Sequence, residues 1–249
     1  MDELFVVRSA LLEKSAQFRC GVSTRRGARS GSSFGMNMSY SVGDLPEDVN
    51  ENRQRFLSAV DAEPDRLVIP GQCHSDHVAM ATIPGRFEAT DALMTITPNV
   101  WLTITVADCT PVFLADPVRS AVAAIHAGWR GSAESIAAKT VERMKAEFGT
   151  EPQNLVAFIG PSAGVCCYEV GDDVRSRFDS SVLQVRNGKQ YLDLKLDNAR
   201  QLMGAGIPNG NIDISPLCTI CNPELLHSYR RDKDRSGRMM GVIGIVGEG

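Results

Sequence analysis

Four histidines and seven cysteines are the residues of this chain best suited to chemistry near neutral pH. His74 lies in Gly-Gln-Cys-His-Ser (71–75), directly after the apolar run Leu67 to Pro70. Cys109 closes the β-branched run WLTITVADC (101–109), and His126 closes SAVAAIH (120–126). Three candidate ligands therefore stand at the ends of three strand-like segments. Two imidazoles and one thiolate suit zinc, and three protein ligands leave a fourth position for water, as in catalytic sites. Zinc would lower the pKa of that water toward ~7. The ligands are 35 and 17 positions apart, with no local motif joining them. Spacing alone favours a plainer alternative, in which Cys109 is a small buried residue and His126 a satisfied core histidine.

Other reactive groups carry weaker signals. Cys218-x-x-Cys221 could be half of a zinc ribbon, but no second CxxC exists, and a thioredoxin-like βαβ context is missing. Two incidental thiols is the reading the pattern favours. The adjacent pair Cys166-Cys167 is expected to pack under the Gly160-Pro161 turn. Arg130 follows His126-Ala-Gly-Trp and so lies near the candidate metal, while Arg53 sits on a charged helix. A solvated surface charge is the default for both arginines. Arg25-Arg26 and Arg230-Arg231 could bind a small anion.

The elements that must position these groups can be read from periodicity. The 101–109 run predicts a strand on which Cys109 shares a face with Trp101, Thr103 and Thr105. Residues 120–126 are apolar on both faces, as in a buried central strand. A helix is expected from an N-cap at Ser132, with Ala133, Ile136, Ala137, Thr140, Val141, Met144 and Phe148 on one stripe and Gly149 as its stop. Leu155 to Ile159 predicts another buried strand, and Val182 to Leu194 a hairpin turning at Asn187-Gly188. Helices are expected over about 46–60 and 197–205, and a last strand over 241–246. Residues 27–33 (GARSGSS) predict a loop. Strands and helices mix without strict βαβ alternation. The expected fold is α/β, or mixed α+β: a single domain over 1–249 with layered mixed sheets covered by helices.

Composition removes several classes of function. Apolar residues make up 43% and charged residues 22%, an ordinary globular balance with material for a core. The net charge of −4 gives no basic field for nucleic acid or acidic membranes. The first residues, Met1-Asp2-Glu3-Leu4, are acidic where a secretory signal is basic. No apolar run reaches the ~18 residues of a membrane-spanning helix. A cytoplasmic protein is expected, as a monomer or weak dimer. The odd cysteine count and the adjacent pair make a poor disulfide framework, leaving the thiols as fillers, ligands or nucleophiles.

Several segments resemble one bacterial family. They are GQCHS (71–75), TDALMT (90–95), TVADCTPVFLADP (105–117), AAIHAGWRG (123–131), IGPSAGVCCYEVGDDV (159–174) and SYRRDKDRSGRMMGVI (228–243). The chain is similar over nearly its whole length to the laccase-domain family, first named multicopper polyphenol oxidases. Members of that family are described as purine nucleoside phosphorylases with adenosine deaminase activity, and some as peptidoglycan editing factors. The resemblance implies that His74, Cys109 and His126 bind zinc, with copper as the competing metal. It implies an active-site role for Arg53 in Glu-Asn-Arg (51–53) and for Asn37, which is flanked here by Met36 and Met38. It also implies layered sheets similar to the cysteine hydrolase domain of necrotizing toxins. Cys73 and His227 depart from the family pattern and could add stray metal-binding groups.

Four functions compete for these residues. The first is a zinc-dependent nucleoside enzyme acting on a purine nucleoside and phosphate. Cys109 and Arg53 would be catalytic, Asn37 and Arg130 would bind substrate, and deamination at C6 of adenine would use the activated water. Asp108 and Asp91 are candidates for protonating the departing base. The second is a copper-binding polyphenol oxidase. Four histidines without a His-x-His pair argue against a multicopper cluster, although one Cys-His₂ site could capture a single copper. The third is an amide hydrolase editing a peptidoglycan precursor, with Cys109 as nucleophile and His126 as base, or with zinc. A non-catalytic binding module remains as a fourth.

Overall fold

Period-two patterning divides the core into layers. In the strand Met239–Ile245, Met240 and Val242 enter one apolar cluster, and Met239, Ile243 and Ile245 enter another. The computed structural model describes residues 3–28 and 32–247. Arg29 to Gly31, in the middle of the expected 27–33 loop, lie outside the described residues.

Two six-stranded mixed sheets result. The first runs Val6–Val7, Phe18–Ser23, Met239–Ile245, Trp101–Val106, Leu67–Pro70, Gly85–Phe87, antiparallel up to Trp101–Val106 and parallel beyond it. The second runs Ile212–Ile214, Val156–Ile159, Thr110–Asp116, Ala121–Ala127, Ala92–Thr95, Val78–Met80, with parallel pairing only at its two edges. A small third sheet joins Glu169–Val170, Lys189–Leu192 and Leu183–Arg186.

The two large sheets pack face to face. Val22, Leu102, Ile104, Val106 and Ile243 of the first meet Phe113, Ala115, Val122, Ala124 and Phe158 of the second. Phe113 and Phe158 stack with ring centroids 6.0 Å apart. A Cβ at Gly241 would collide with the Phe113 ring, so glycine there lets the sheets approach. The helix Pro46–Ala59 covers the outer face of the first sheet, placing Phe56 and Leu57 against Trp101, Met240 and Val242. The helices Ile136–Phe148 and Leu194–Gly204 cover the second, through Val141, Met144, Ala199 and Leu202 on Val112, Leu114 and Ile125. This is the mixed α/β arrangement of layered sheets under helices that the sequence predicts. Among the described residues no helix is long and apolar enough to cross a membrane.

Some elements differ from expectation. The 101–109 strand ends at Val106. Asp108 then takes a positive φ of 88° and turns the chain, so Cys109 does not share the face of Trp101. The bend is held because Asp108 Oδ1 accepts from Thr219 Oγ1 at 2.6 Å and Oδ2 from the Arg230 amide at 2.6 Å. The helix expected from Ser132 is two helices, Trp129–Ala133 and Ile136–Phe148, divided at Ser135 with φ of 61°. Ser132 lies inside the first, where its hydroxyl accepts from Asn198 Nδ2 at 2.9 Å. The 194–204 helix begins earlier than expected because Asp193 caps it, accepting from the Leu196 amide at 3.0 Å. The hairpin turns where predicted, with Asn187 and Gly188 both at positive φ.

Candidate metal centre

Three chain segments deliver the expected ligands to one end of the sheet sandwich. Gln72 continues the pairing of Leu67–Pro70 beyond its last residue. Its Nε2 donates to the Thr105 carbonyl at 2.9 Å, and its Oε1 accepts from the Thr105 amide at 2.8 Å. The chain then bends through His74, which has φ of 62°. Cys109 leaves the Asp108 bend half-buried against the inter-sheet core. His126 is the penultimate residue of Ala121–Ala127 and shares a face with Val122 and Ala124, so its ring points between the sheets.

His74, Cys109 and His126 each offer one ligand atom, and these lie within 4.8 Å of one another. The two imidazole centroids are 4.9 Å apart, at an interplanar angle of 65°. His126 is buried and His74 exposed, so the group opens to solvent on one side. Gly128 completes the cradle: a Cβ there would stand 2.8 Å from His74 Nδ1 and 3.1 Å from Cys109 Sγ. These three residues could hold a metal ion.

Asp91 organises the group from beneath. It is fully buried, with Oδ1 accepting from His126 Nδ1 at 2.7 Å and from the His74 amide at 3.1 Å. Its Oδ2 accepts from the Cys73 amide at 3.1 Å and from the Ser75 amide and hydroxyl at 2.7 and 2.8 Å. One carboxylate thus fixes the ring of one ligand and the backbone of another. Burial opposes its ionisation, but the bonds from His126 and Ser75 outweigh that and hold it well below the usual carboxylate range. A carboxylate so engaged is an acceptor only, which removes Asp91 as the acid expected to protonate a departing base. Asp108 is likewise occupied, with both oxygens accepting as described above.

Cys109 and His126 polarise each other. Burial raises the Cys109 thiol, but His126 and then His74 outweigh it and bring it down to about 6. Burial lowers His126, but the Cys109 thiolate and Asp91 push it up to about 9. Without a metal the two form a thiolate–imidazolium pair.

The other expected residues are each held by their own local partners. Arg53 is half-buried, its Nε donating to the Met38 carbonyl at 2.8 Å and its guanidinium 4.4 Å from the Tyr40 ring centroid. Arg130 is exposed, its guanidinium 4.3 Å from the Trp129 ring centroid. Asn37 is fully buried and holds the 37–44 segment. Its Nδ2 donates to the Ser39 carbonyl and Asp44 Oδ2, and its Oδ1 accepts from the amides of Ser39 and Arg238. His227 is buried under Met36 and Gly237, and burial, then Arg25, pushes its pKa down to about 3. Neither His227 nor Cys73 joins the ligand group.

Some features were not foreseen. Arg238 is close enough to Asp108 and Cys109 for their charges to act on it, and Tyr168 feels Cys109, Arg230 and Asp108. Arg238, with Lys233, Tyr229, Ser236, Ser41 and Val42, lines a hollow of about 190 Å³. The sequence signal is the arginine-rich SYRRDKDRSGR segment, in which the small-anion expectation rests on Arg230-Arg231. Cys218 and Cys221, expected to be incidental thiols, bring their sulfurs together with those of Cys166 and Cys167. Cys166 is exposed and Cys167 half-buried, so the pair is not packed beneath the Gly160-Pro161 turn.

Comparison with known proteins finds relatives that match most of the chain. A purine nucleoside phosphorylase of Bacteroides thetaiotaomicron is 35% identical over 241 residues, covering 89% of each chain. One from Deinococcus radiodurans is 39% identical over 226 residues, covering 88% of this chain and 85% of that one. Among solved structures, YlmD from Geobacillus stearothermophilus aligns at a TM-score of 0.88 and 33% identity over 93% of both chains. The hypothetical protein YfiH of Bacillus licheniformis aligns at 0.88 and 33% over 98% of this chain and 97% of that one. The family profile described as multi-copper polyphenol oxidoreductase laccase matches residues 19–246, and the chain belongs to that family.

Proposed function

We propose that the chain is one catalytic domain over 1–249, a zinc-dependent purine nucleoside phosphorylase of the cytoplasm that also deaminates adenosine. The observation that carries this reading is the convergence of His74, Cys109 and His126 over Asp91, open to solvent on the His74 side. Its relatives named purine nucleoside phosphorylase support it. The donor set, two nitrogens and one sulfur, suits tetrahedral zinc with an open fourth position, and copper is the competing ion. When bound, zinc would supply Lewis-acid activation of water or of a substrate oxygen at that position.

The chain's own residues carry the rest. Asp91 accepts the Nδ1 proton of His126 and so leaves Nε2 for the metal. In phosphorolysis the bond from the purine nitrogen to C1′ breaks, a phosphate oxygen bonds C1′, and the proton that oxygen sheds passes to the purine. Arg53 is assigned to hold the phosphate, a task its planar fork of donors suits. Arg130 and the segment held by Asn37 are assigned to the nucleoside. Arg238 and Lys233, set against one carboxylate at Asp234, leave the hollow they line net positive, which suits an anionic co-substrate.

The test is a nucleoside screen on metal-analysed protein. Inosine and adenosine should each yield free base and ribose 1-phosphate only when phosphate is present. Base release at the same rate without phosphate would refute phosphorolysis. A second reading is favoured by the depressed Cys109 thiol beside a raised His126: a cysteine amide hydrolase acting on a peptidoglycan precursor. It would be supported if Cys109→Ala kept the same zinc content as the parent chain but lost all turnover on a muropeptide.

A further inference from the structure

Four thiols meet at a place remote from the catalytic ligands in sequence and chemistry. Cys166 and Cys167 lie in the turn after Val156–Ile159, and Cys218 and Cys221 lie in the segment after Ile212–Ile214. All four sulfurs are within 4.8 Å of one another. Cys221 Sγ stands 3.4 Å from Cys166 Sγ and 3.1 Å from Cys167 Sγ. A tetrahedral zinc centre with Zn–S bonds of about 2.3 Å places its sulfurs roughly 3.8 Å apart, so small shifts would form one. We propose that Cys166, Cys167, Cys218 and Cys221 form a second metal site, a tetrathiolate centre for one Zn²⁺ that fastens the 160–168 turn to the 215–231 segment.

Backbone donors already favour the thiolate at one of the four sulfurs. The Gly164 amide donates to Cys218 Sγ at 3.2 Å, and the amides of Ile220 and Cys221 also favour its thiolate. Metal bound to the first cysteine of a C-x-x-C turn would receive that sulfur already stabilised by backbone donors. Four thiolates around one divalent cation leave a charge of −2. Lys195 supplies opposing charge: it is buried, within electrostatic reach of Cys218 and Cys166, and donates to the carbonyls of Ser215 and Leu217 at 2.7 Å each. A disulfide satisfies the geometry less well, because Cys221 faces both members of the adjacent pair and any single bond strands two thiols.

Such a centre would act on the first site at a distance. The Thr219 amide donates to the Ser162 carbonyl at 3.0 Å, and Thr219 Oγ1 reaches Asp108. The Ala163 amide donates to the Asp108 carbonyl at 2.9 Å. Arg231 Nη1 donates to the Thr219 carbonyl at 2.6 Å, closing the 218–231 loop. Both segments joined by the four cysteines therefore grip the bend that presents Cys109. The proposed site is structural, closed by four protein ligands, and its role is to position that bend.

The inference does not depend on the reaction proposed above, and the test separates them. Full-length His126→Ala, purified under reducing conditions with zinc, removes the first site and should retain one zinc per chain. A thiol-directed mercurial should release that zinc. Cobalt exchanged into the same variant should show the strong sulfur-to-cobalt charge transfer of four thiolates. Cys218→Ser and Cys221→Ser should each lose one zinc equivalent relative to the parent chain. Should these variants not fold, cadmium NMR of the unsubstituted protein replaces them, and one resonance should fall in the four-thiolate range. Folded His126→Ala without zinc, a cobalt spectrum of fewer thiolates, an iron–sulfur chromophore, or a disulfide found by mass under the same conditions would each overturn the proposal.

Discussion

Asp91 and His126 are joined twice: His126 Nδ1 donates to Asp91 Oδ1 at 2.7 Å, and the His126 amide donates to the Asp91 carbonyl at 2.7 Å. Ring and backbone of the ligand are thus fixed by one residue. Replacing Asp91 by Asn keeps the shape but removes the charge that selects the tautomer. Zinc affinity is expected to fall by ~10–100-fold, the usual effect of losing such a partner. Competition with a chromophoric chelator measures it. Unchanged affinity would show that Asp91 serves folding alone.

Gly128 offers a substitution that touches the site without touching a ligand. Gly128→Ala would place its Cβ 2.8 Å from His74 Nδ1 and 3.1 Å from Cys109 Sγ, pushing the two apart. Gly128 is itself buried and Cys109 packs on the inter-sheet core, so the metal-free protein should melt somewhat lower than the parent, while zinc affinity drops at least about tenfold. Calorimetry and metal titration on the same sample separate the two effects.

The thiolate–imidazolium pair predicts a pH signature for the metal-free protein. Cys109 is brought down from the ordinary thiol value of 9.0 to about 6. Its alkylation by iodoacetamide, followed by mass spectrometry of the peptide, should therefore begin near pH 6. A midpoint near 9 would contradict the pairing. The stability contributions have opposite signs. His126, raised from 6.5 to about 9, stabilises the fold fully below 6.5 and loses that contribution as pH rises through 9. Cys109, depressed, contributes fully above 9 and loses its share as pH falls through 6.

Arg53 tests the phosphate assignment. Arg53→Lys keeps the charge but loses the planar fork and the bond to the Met38 carbonyl. The KM for phosphate should rise about tenfold, and for Arg53→Ala by up to ~100-fold, the range expected for hydrogen bonds to a charged group. Zinc content should not change. An equal loss of kcat with all nucleosides and an unaltered phosphate KM would place Arg53 elsewhere in the mechanism.

The legible parts of the chain were those governed by near neighbours. Apolar runs such as 121–127 became buried strands, and Asn187-Gly188 turned its hairpin, because burial and φ preference act locally. The expected metal ligands were visible as polar residues closing such runs. Asp91 was read as an acid because nothing in TDALMT reveals five donors arriving from 73–75 and 126. The end of the 101–106 strand was hidden for the same reason: the bend at Asp108 is held by Thr219 and Arg230, more than a hundred positions away. Cys167 and Cys221 stand 54 positions apart and meet because their segments follow the paired strands Val156–Ile159 and Ile212–Ile214 and stay joined past them, as at the Ser162–Cys218 bridge.

Met239–Ile245 is late in the sequence yet lies between Phe18–Ser23 and Trp101–Val106 within the first sheet. During synthesis those two earlier strands must wait unpaired on that edge until the last segment emerges. The inner apolar layer cannot close sooner, and contacts of such long range make folding slow. A chain cut after Arg238 would lose the middle of a sheet, not its margin. It would expose two strand edges to pairing with other chains, so truncation there should aggregate where a cut before Phe18 would not.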